Sequence, residues 1–283
     1  VRDVDDMFLK DGMEPPAEDA VSRFRLGLYA EIEEDDGFNI GFDPDFELEV
    51  DLPNLERRWS VIITREELGE LPGTHPTERD GAARVGLRRT IDDYHIETDL
   101  GVKADIPPEV YAGVQWRKVY WQDRWKLVPR VRGYYESDVG FGQLTSFLAA
   151  RWLGRRNTGV FRSASAGRIT EETEGWEWEQ SFSLGYIGRL LDERDRGGHV
   201  DRKMLAHGFG VKGSLFGHVD SDKTMDRYRL TFIYRRPLFN EWIYLELGPE
   251  FEWKDEDDWD VIPRLRFGFD AIFWRADPSL GGI

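Results

Sequence analysis

Apolar and polar residues alternate along nearly the whole chain with a period of two, the pattern of strands that turn one face to an apolar medium and the other to water. Between Ser22 and Glu33, Phe24, Leu26, Leu28 and Ile32 share one face, while Arg23, Arg25 and Glu31 share the other. Phe38, Ile40, Phe42, Phe46, Leu48 and Val50 then oppose Asp45, Glu47 and Glu49. Tyr94, Ile96, Leu100 and Val102 alternate with His95, Glu97, Asp99 and Lys103, and Val110, Val114 and Trp116 with Gln115 and Arg117. Trp125, Leu127 and Val131 oppose Lys126, Arg130 and Arg132. Toward the C-terminus, Tyr228, Leu230, Phe232 and Tyr234 oppose Arg227, Arg229 and Arg235, and Ile243, Leu245, Leu247, Phe251 and Trp253 oppose Glu246, Glu250 and Glu252. Trp259, Val261, Leu265, Phe267, Phe269 and Phe273 close the series against Asp258, Asp260, Arg264, Arg266 and Asp270.

Fourteen such segments are expected, over 22–33, 38–51, 55–65, 82–91, 93–105, 108–120, 124–136, 139–153, 157–169, 174–190, 202–218, 224–236, 241–254 and 258–274. The third, fourth and ninth alternate least clearly, and losing two of them gives the other count, twelve. With the N-terminus on the periplasmic side, the turns there are short: Leu52-Pro53-Asn54, Asp92-Asp93, Gln122-Asp123, Arg155-Arg156-Asn157 and Pro237 to Asn240. The opposite side carries the acidic and longer links, including Glu33 to Gly37, Glu66 to Gly81, Glu171 to Gly175 and Lys254 to Asp258. Leu191 to Asp201 is the exception, long on the short side. Residues 1–20 are expected to form a periplasmic arm or a plug, 21–274 the barrel and 275–283 a periplasmic tail, and the Glu66 to Gly81 link is the other candidate plug. Because the chain starts at Val1, a signal peptide is expected to have been removed.

Composition narrows the medium. No stretch approaches the ~20 apolar residues that a helical span needs. The chain has 11 Trp, 13% aromatic residues and a net charge of -17, against a mean hydropathy of -0.57. Alternation alone does not separate a membrane sheet from a soluble sandwich or soluble barrel. Here, however, the polar face is crowded with Arg and Glu, and the apolar face keeps large rings to the strand ends. Tyr120 and Trp125 flank a short turn and Trp253 and Trp259 flank an acidic loop, as interfacial girdles would. Closing the sheet removes edges that would strand unpaired amides in lipid. The fold class expected is therefore all-β, a transmembrane antiparallel up-and-down barrel of about fourteen strands (alternatively twelve).

From Ser22 to Trp274 this pattern resembles the monomeric outer-membrane barrels of Gram-negative bacteria, especially simple fourteen-stranded porins. The resemblance is of class, and it implies a bacterial outer-membrane location. Arg266, Gly268, Ala271 and Phe273 loosely match the C-terminal assembly signal of that class, with Ala271 where a larger hydrophobe is usual and the chain continuing to Ile283.

The polar parity then faces the lumen. Its candidate lining residues are Arg23, Arg25, Glu47, Glu49, Glu97, Asp99, Arg117, Arg130, Arg132, Arg227, Arg229, Glu246, Glu250, Arg264 and Arg266, with signs that alternate from strand to strand. They serve either as structural pairs in a wet interior or as opposed walls whose field selects small polar solutes. Of the 5 His, His95 alone stands on this face beside acids, two residues from Glu97, and it reads as structural or pore-lining. His75 and His199 fall in loops, His207 has the lipid-facing parity and His218 ends a strand. There is no Gly-x-Ser-x-Gly elbow and no His-rich metal spacing. The acidic run 254–258 reads as a solvated loop rather than a Ca²⁺ site. No catalytic residue, cofactor or metal is expected. The function expected is a porin-like channel for passive diffusion of small hydrophilic solutes. The alternatives are a docking barrel for a larger envelope complex and, more distantly, a lipid-modifying enzyme. Partners expected are outer-membrane lipid and lipopolysaccharide, small solutes and an envelope protein, and not nucleic acid.

Overall fold

A computed structural model describes residues 22–34, 38–51, 59–65, 68, 71, 82–154, 158–171, 175–190, 205–219, 225–238 and 243–274. The N-terminal arm, the C-terminal tail and the Leu191 to Asp201 connection lie outside the described residues. Fifteen strands form: β1 Ser22–Glu34, β2 Phe38–Asp51, β3 Trp59–Thr64, β4 Arg84–Ile91, β5 Ile96–Lys103, β6 Glu109–Arg117, β7 Tyr120–Gln122, β8 Trp125–Glu136, β9 Gly140–Leu153, β10 Gly159–Thr170, β11 Trp176–Leu190, β12 Leu205–Val219, β13 Arg227–Pro237, β14 Ile243–Lys254 and β15 Val261–Trp274. Every strand pairs antiparallel with its sequence neighbours, except that β6 and β7 both pair with β8 and β1 closes on β15. The ring is shut, with fourteen crossings: β6 and β7 are one crossing in two pieces.

That break has a local cause. Arg117 opposes Arg130 and Tyr120 opposes Leu127. Between them the partner strand carries Pro129, which has no N–H to give the ladder. Pro129 still accepts from Lys118 N at 3.3 Å, so the wall stays continuous. The turns also depend on single residues. Asp123, between Gln122 and Trp125, sits at φ 52°, and the link from Glu136 ends on Gly140 at φ 81°, a conformation glycine adopts without penalty.

The expected segments coincide with the observed strands except at some ends. The segment placed at 93–105 begins only at Ile96: Asp92–Tyr94 is a single 3-10 turn and His95 stands at φ 56°. Tyr94 and His95 are thus turn residues, not members of the outer and inner faces. Two adjacent Asp residues favour a turn over extension. Of the third segment, 55–65, the described part holds the strand Trp59–Thr64, and 55–58 lie outside the described residues.

The two faces are chemically opposite. Outward-pointing Phe42 is 82% exposed and Phe209 59% exposed, whereas inward-pointing Glu252 and Asp270 are 0% exposed. No helix among the described residues is long and apolar enough to cross a membrane. An inside-out arrangement of this kind fits a sheet whose outer wall meets hydrocarbon.

Inside, tyrosines lie on glycines. Tyr29 covers Gly27 and Gly268, Tyr111 covers Gly86 and Gly101, and Tyr134 covers Gly142; a Cβ at any of these glycines would collide with the ring above it. The absence of a side chain lets the ring lie flat on the wall. Arg266 stacks on Tyr29 at 3.7 Å and Arg84 on Tyr111 at 5.5 Å, so each ring supports a guanidinium in turn.

Candidate functional site: a charged barrel interior

The inward residues of β13, β14 and β15 form one network around Glu252. Its carboxylate takes Arg229 Nη2 at 2.6 Å, Arg264 Nη1 at 2.7 Å, Arg227 Nη1 at 3.6 Å and Lys254 Nζ at 3.9 Å. Glu250 meets Arg229 at 3.3 Å and Arg264 at 3.6 Å, and accepts from Thr231 at 2.7 Å. Across the β1–β15 seam, Asp270 binds Arg25 Nε at 3.0 Å and also Arg235 Nη2, while Arg235 Nη1 stands 3.9 Å from Glu246. Arg25 extends to Asp45 at 3.6 Å, joining β2.

A second network fills the wall from β4 to β8. Asp99 holds Arg88 at 2.8 Å and Arg132 at 3.1 Å, and Arg88 touches Glu49 at 3.8 Å. Gln115 bridges Glu97, at 2.9 Å, and Arg130, at 2.5 Å. Arg84 makes a two-pronged pair with Glu136, at 3.0 and 2.7 Å, with both residues buried. This fork geometry suits guanidinium and carboxylate.

Of the residues singled out from the sequence, Arg25, Glu49, Glu97, Asp99, Arg130, Arg132, Arg227, Arg229, Glu246, Glu250 and Arg264 thus meet in two networks. Arg266 stacks on Tyr29. The Arg117 backbone N–H donates to the His95 carbonyl at 3.0 Å. Arg23 opposes Glu49 and Arg25 opposes Glu47 in the strand register. Of the four aromatics expected at the interfaces, Tyr120 and Trp125 flank the β7–β8 turn, Trp253 is near the end of β14 and Trp259 precedes β15. Tyr228 and Trp259 rings are 4.8 Å apart, with Trp253 opposite Tyr228 in register, while Lys118 caps Tyr120 at 5.3 Å and Arg151 caps Trp125 at 5.3 Å.

The sequence reading missed three participants. Parity marks Glu252 and Asp270 as polar-face residues but not as hubs, because a hub is defined by what three strands bring together. The third is the loop after β3, where Leu68 and Leu71 are buried inside the barrel against Tyr111, Tyr134, Leu144 and Ala166. Arg132 Nη1 donates to the Leu68 carbonyl at 3.2 Å. The loop was read as a candidate plug; its two leucines pack on the inner wall of β6, β8, β9 and β10.

At the loop end of β5, Lys103 Nζ lies 2.7 Å from Asp138 and 3.0 Å from Glu109. Partial burial works to raise the Asp138 carboxyl, but its contacts with Lys103 and Glu109 outweigh this and hold it below the usual carboxylate value. A lowered folded-state value means stability that is present above the unfolded value, about 3.9, and lost as pH falls through the folded one. Asp138→Asn is therefore expected to cost stability at neutral pH and nothing once the wild-type carboxyl is protonated. Urea unfolding of both proteins from pH 7 downward checks this; a gap that persists in strong acid contradicts it.

No family model and no curated protein sequence matches the chain. Solved structures do match its fold. Pseudomonas aeruginosa OpdL is similar over 91% of this chain and 99% of its own, with TM-score 0.50 and 7% identity. Acinetobacter baumannii OccAB4 covers 93% of this chain and 100% of its own, at TM-score 0.46 and 9% identity. The KdgM porin covers 88% and 99%, at TM-score 0.39 and 9% identity. The chain is a closed fourteen-stranded antiparallel barrel, the fold of outer-membrane porins.

Proposed function

We propose that the protein is an outer-membrane channel through which small hydrophilic solutes diffuse passively, with no covalent chemistry of its own. The single observation behind this reading is the inverted chemistry of a closed sheet: hydrocarbon-compatible side chains outside, and charge enclosed inside. Outer-membrane lipid and lipopolysaccharide are then the medium of the outer wall, and the girdle aromatics mark its depth. A barrel of this strand number is wide enough to keep water inside unless a segment fills it. The paired arginines and carboxylates hold the wall in shape while presenting polar surface to that water.

Planar-bilayer recording of the purified barrel tests the reading. Stable ohmic steps support it, and a folded barrel that never conducts overturns it. The β3–β4 loop gives a second expectation. Leu68→Asp together with Leu71→Asp replaces its apolar seat on Tyr111, Tyr134 and Leu144 with charge, which releases the loop from the wall. Single-channel conductance should then rise roughly twofold as the water-filled cross-section widens. An unchanged conductance would place the narrowest point elsewhere.

A further inference from the structure

The outer wall is apolar for most of its height, but not at the end that bears the short turns. Arg89 on β4, Lys118 directly after β6 and Arg151 on β9 share the outward parity of the exposed Leu87, Trp116 and Phe147. Arg89 and Arg151 stand two residues before the ends of their strands, at Ile91 and Leu153. Counted along the strands, all three cations therefore lie within about 7 Å of one rim. Each rests on an outward ring: Arg89 on Trp59 at 5.5 Å, Lys118 on Tyr120 at 5.3 Å and Arg151 on Trp125 at 5.3 Å. None of the three forms an ion pair among the described residues, and Arg89 Nε is buried without a hydrogen-bond partner.

The opposite end is built differently. Its outward positions carry exposed Val102, Phe141, Ile169, Val219 and Val261. The outward cation there among the described residues is Arg65, just past β3, and its guanidinium donates to the Pro44 carbonyl. Asp105, Asp138 and the Asp255–Asp257 turn also lie at that end. At the short-turn end, Asp93 and Asp123 are exposed in the turns themselves and pair with none of the three cations. A chain of net charge -17 thus keeps an outward cationic arc at one rim. In barrels of this class the short turns face the periplasm, which sets the arc against the periplasmic leaflet.

We propose that Arg89, Lys118 and Arg151, each on its ring, form docking sites for the headgroups of acidic phospholipids at the periplasmic rim of the outer wall. Charge complementarity selects the occupant: the arc offers cations without acidic partners, and a phosphodiester supplies the missing anion. The two guanidiniums can donate to a pair of phosphate oxygens, and the ammonium acts as a point charge. The rings set the depth of the headgroup, as interfacial Trp and Tyr do. Between Lys118 and Arg151 the wall continues through outward Leu127, which opposes Tyr120 on one side and Ala149 on the other, an apolar floor for an acyl chain. This rests on the reading of the outer wall as the face that meets lipid.

Native mass spectrometry of the full chain, folded in detergent micelles, tests it with phosphatidylglycerol, phosphatidylcholine and lipid A offered in turn. Phosphatidylglycerol should be retained in preference to phosphatidylcholine of the same acyl chains. Each charge near an anionic surface contributes roughly fivefold. Arg89→Gln, Lys118→Gln and Arg151→Gln together should therefore weaken phosphatidylglycerol at least about tenfold and leave phosphatidylcholine unchanged. Arg162→Gln, which removes a cation near the same end but from the inward face of β10, should change neither. Heat-modifiable gel mobility checks folding. If the triple variant does not fold, Arg151→Gln alone, at an exposed side chain, should weaken phosphatidylglycerol roughly fivefold. Phosphatidylglycerol binding that is indifferent to these substitutions overturns the proposal, as does lipid A binding that depends on them when phosphatidylglycerol binding does not. Phosphatidylcholine reports whether the wall takes lipid at all. Equal retention of both phospholipids rejects the headgroup sites alone, whereas retention of neither rejects the orientation of the wall as well.

Discussion

Replacing Glu252 with alanine is expected to destabilise the barrel by about 3 to 5 kcal/mol, the range for removing one partner of a buried ion pair. The carboxylate is fully buried and gathers Arg227, Arg229, Lys254 and Arg264, drawn from β13, β14 and β15. Without it these cations repel one another in an enclosed space where water screens them poorly. Glu250 already contacts Arg229 and Arg264 and takes up part of the excess, which keeps the loss within that range rather than above it. Glu252→Gln should cost less, because the amide still accepts hydrogen bonds from the guanidiniums. Urea unfolding in lipid vesicles measures both variants. A loss for Glu252→Ala below about 1 kcal/mol, the level of a solvated surface pair, would mean that water reaches the network freely.

The second large effect is expected at the closing seam. A Cβ at Gly268 would fall inside contact distance of the Tyr29 ring and 2.6 Å from the Leu28 carbonyl oxygen. A flexible side chain could move away, but the backbone oxygen of the paired strand cannot move without opening the β1–β15 ladder. Gly268→Val should therefore exceed the usual ~1 to 3 kcal/mol cost of overpacking and prevent closure, visible as loss of the heat-modifiable folded band. Gly133→Ala is the matched control: nothing lies within 4 Å of its added methyl group, and folding should be normal. Equal folding of Gly268→Val and Gly133→Ala would refute the packing argument.

Much of this architecture is legible in the sequence because lipid imposes the same period on every strand. Leu28, Val114, Phe232 and Phe267 point outward and are exposed, as their parity requires. The tenth strand in chain order, β10, is harder to read for a physical reason. Its outward Ser163 and Ser165 are polar, and they share hydrogen bonds with outward Gln180 of β11, so polar groups satisfy one another on the apolar side and blur the alternation. Inward apolar residues blur it from the other direction: Ile62, Val128 and Leu144 are buried inside the barrel. Tyr111, Tyr134 and Leu144 do so because a loop distant in sequence brings Leu68 and Leu71 onto them.

The interior chemistry is less legible than the fold. Parity assigns Arg229 and Glu250 to one face, but it cannot say that Glu252, two residues on, binds four cations, since the outcome depends on stagger between strands. Arg162 is a sharper case. Its sequence neighbourhood, Val160-Phe161-Arg162-Ser163, shows nothing unusual. Only the register, which surrounds it with alanine, serine and two lysines, makes it an exposed cation among the described inward strand residues.

The orientation of the two faces underlies every argument above, and a pair of adjacent residues can test it. The chain has no cysteine, so Ser183→Cys and Leu184→Cys each carry one nitroxide label at a defined point on β11. In lipid vesicles, electron paramagnetic resonance compares the access of molecular oxygen, which concentrates in hydrocarbon, with that of a water-soluble nickel complex. The label at 184 should favour oxygen and the label at 183 should favour nickel. The reverse order, or equal access at both positions, would contradict the account.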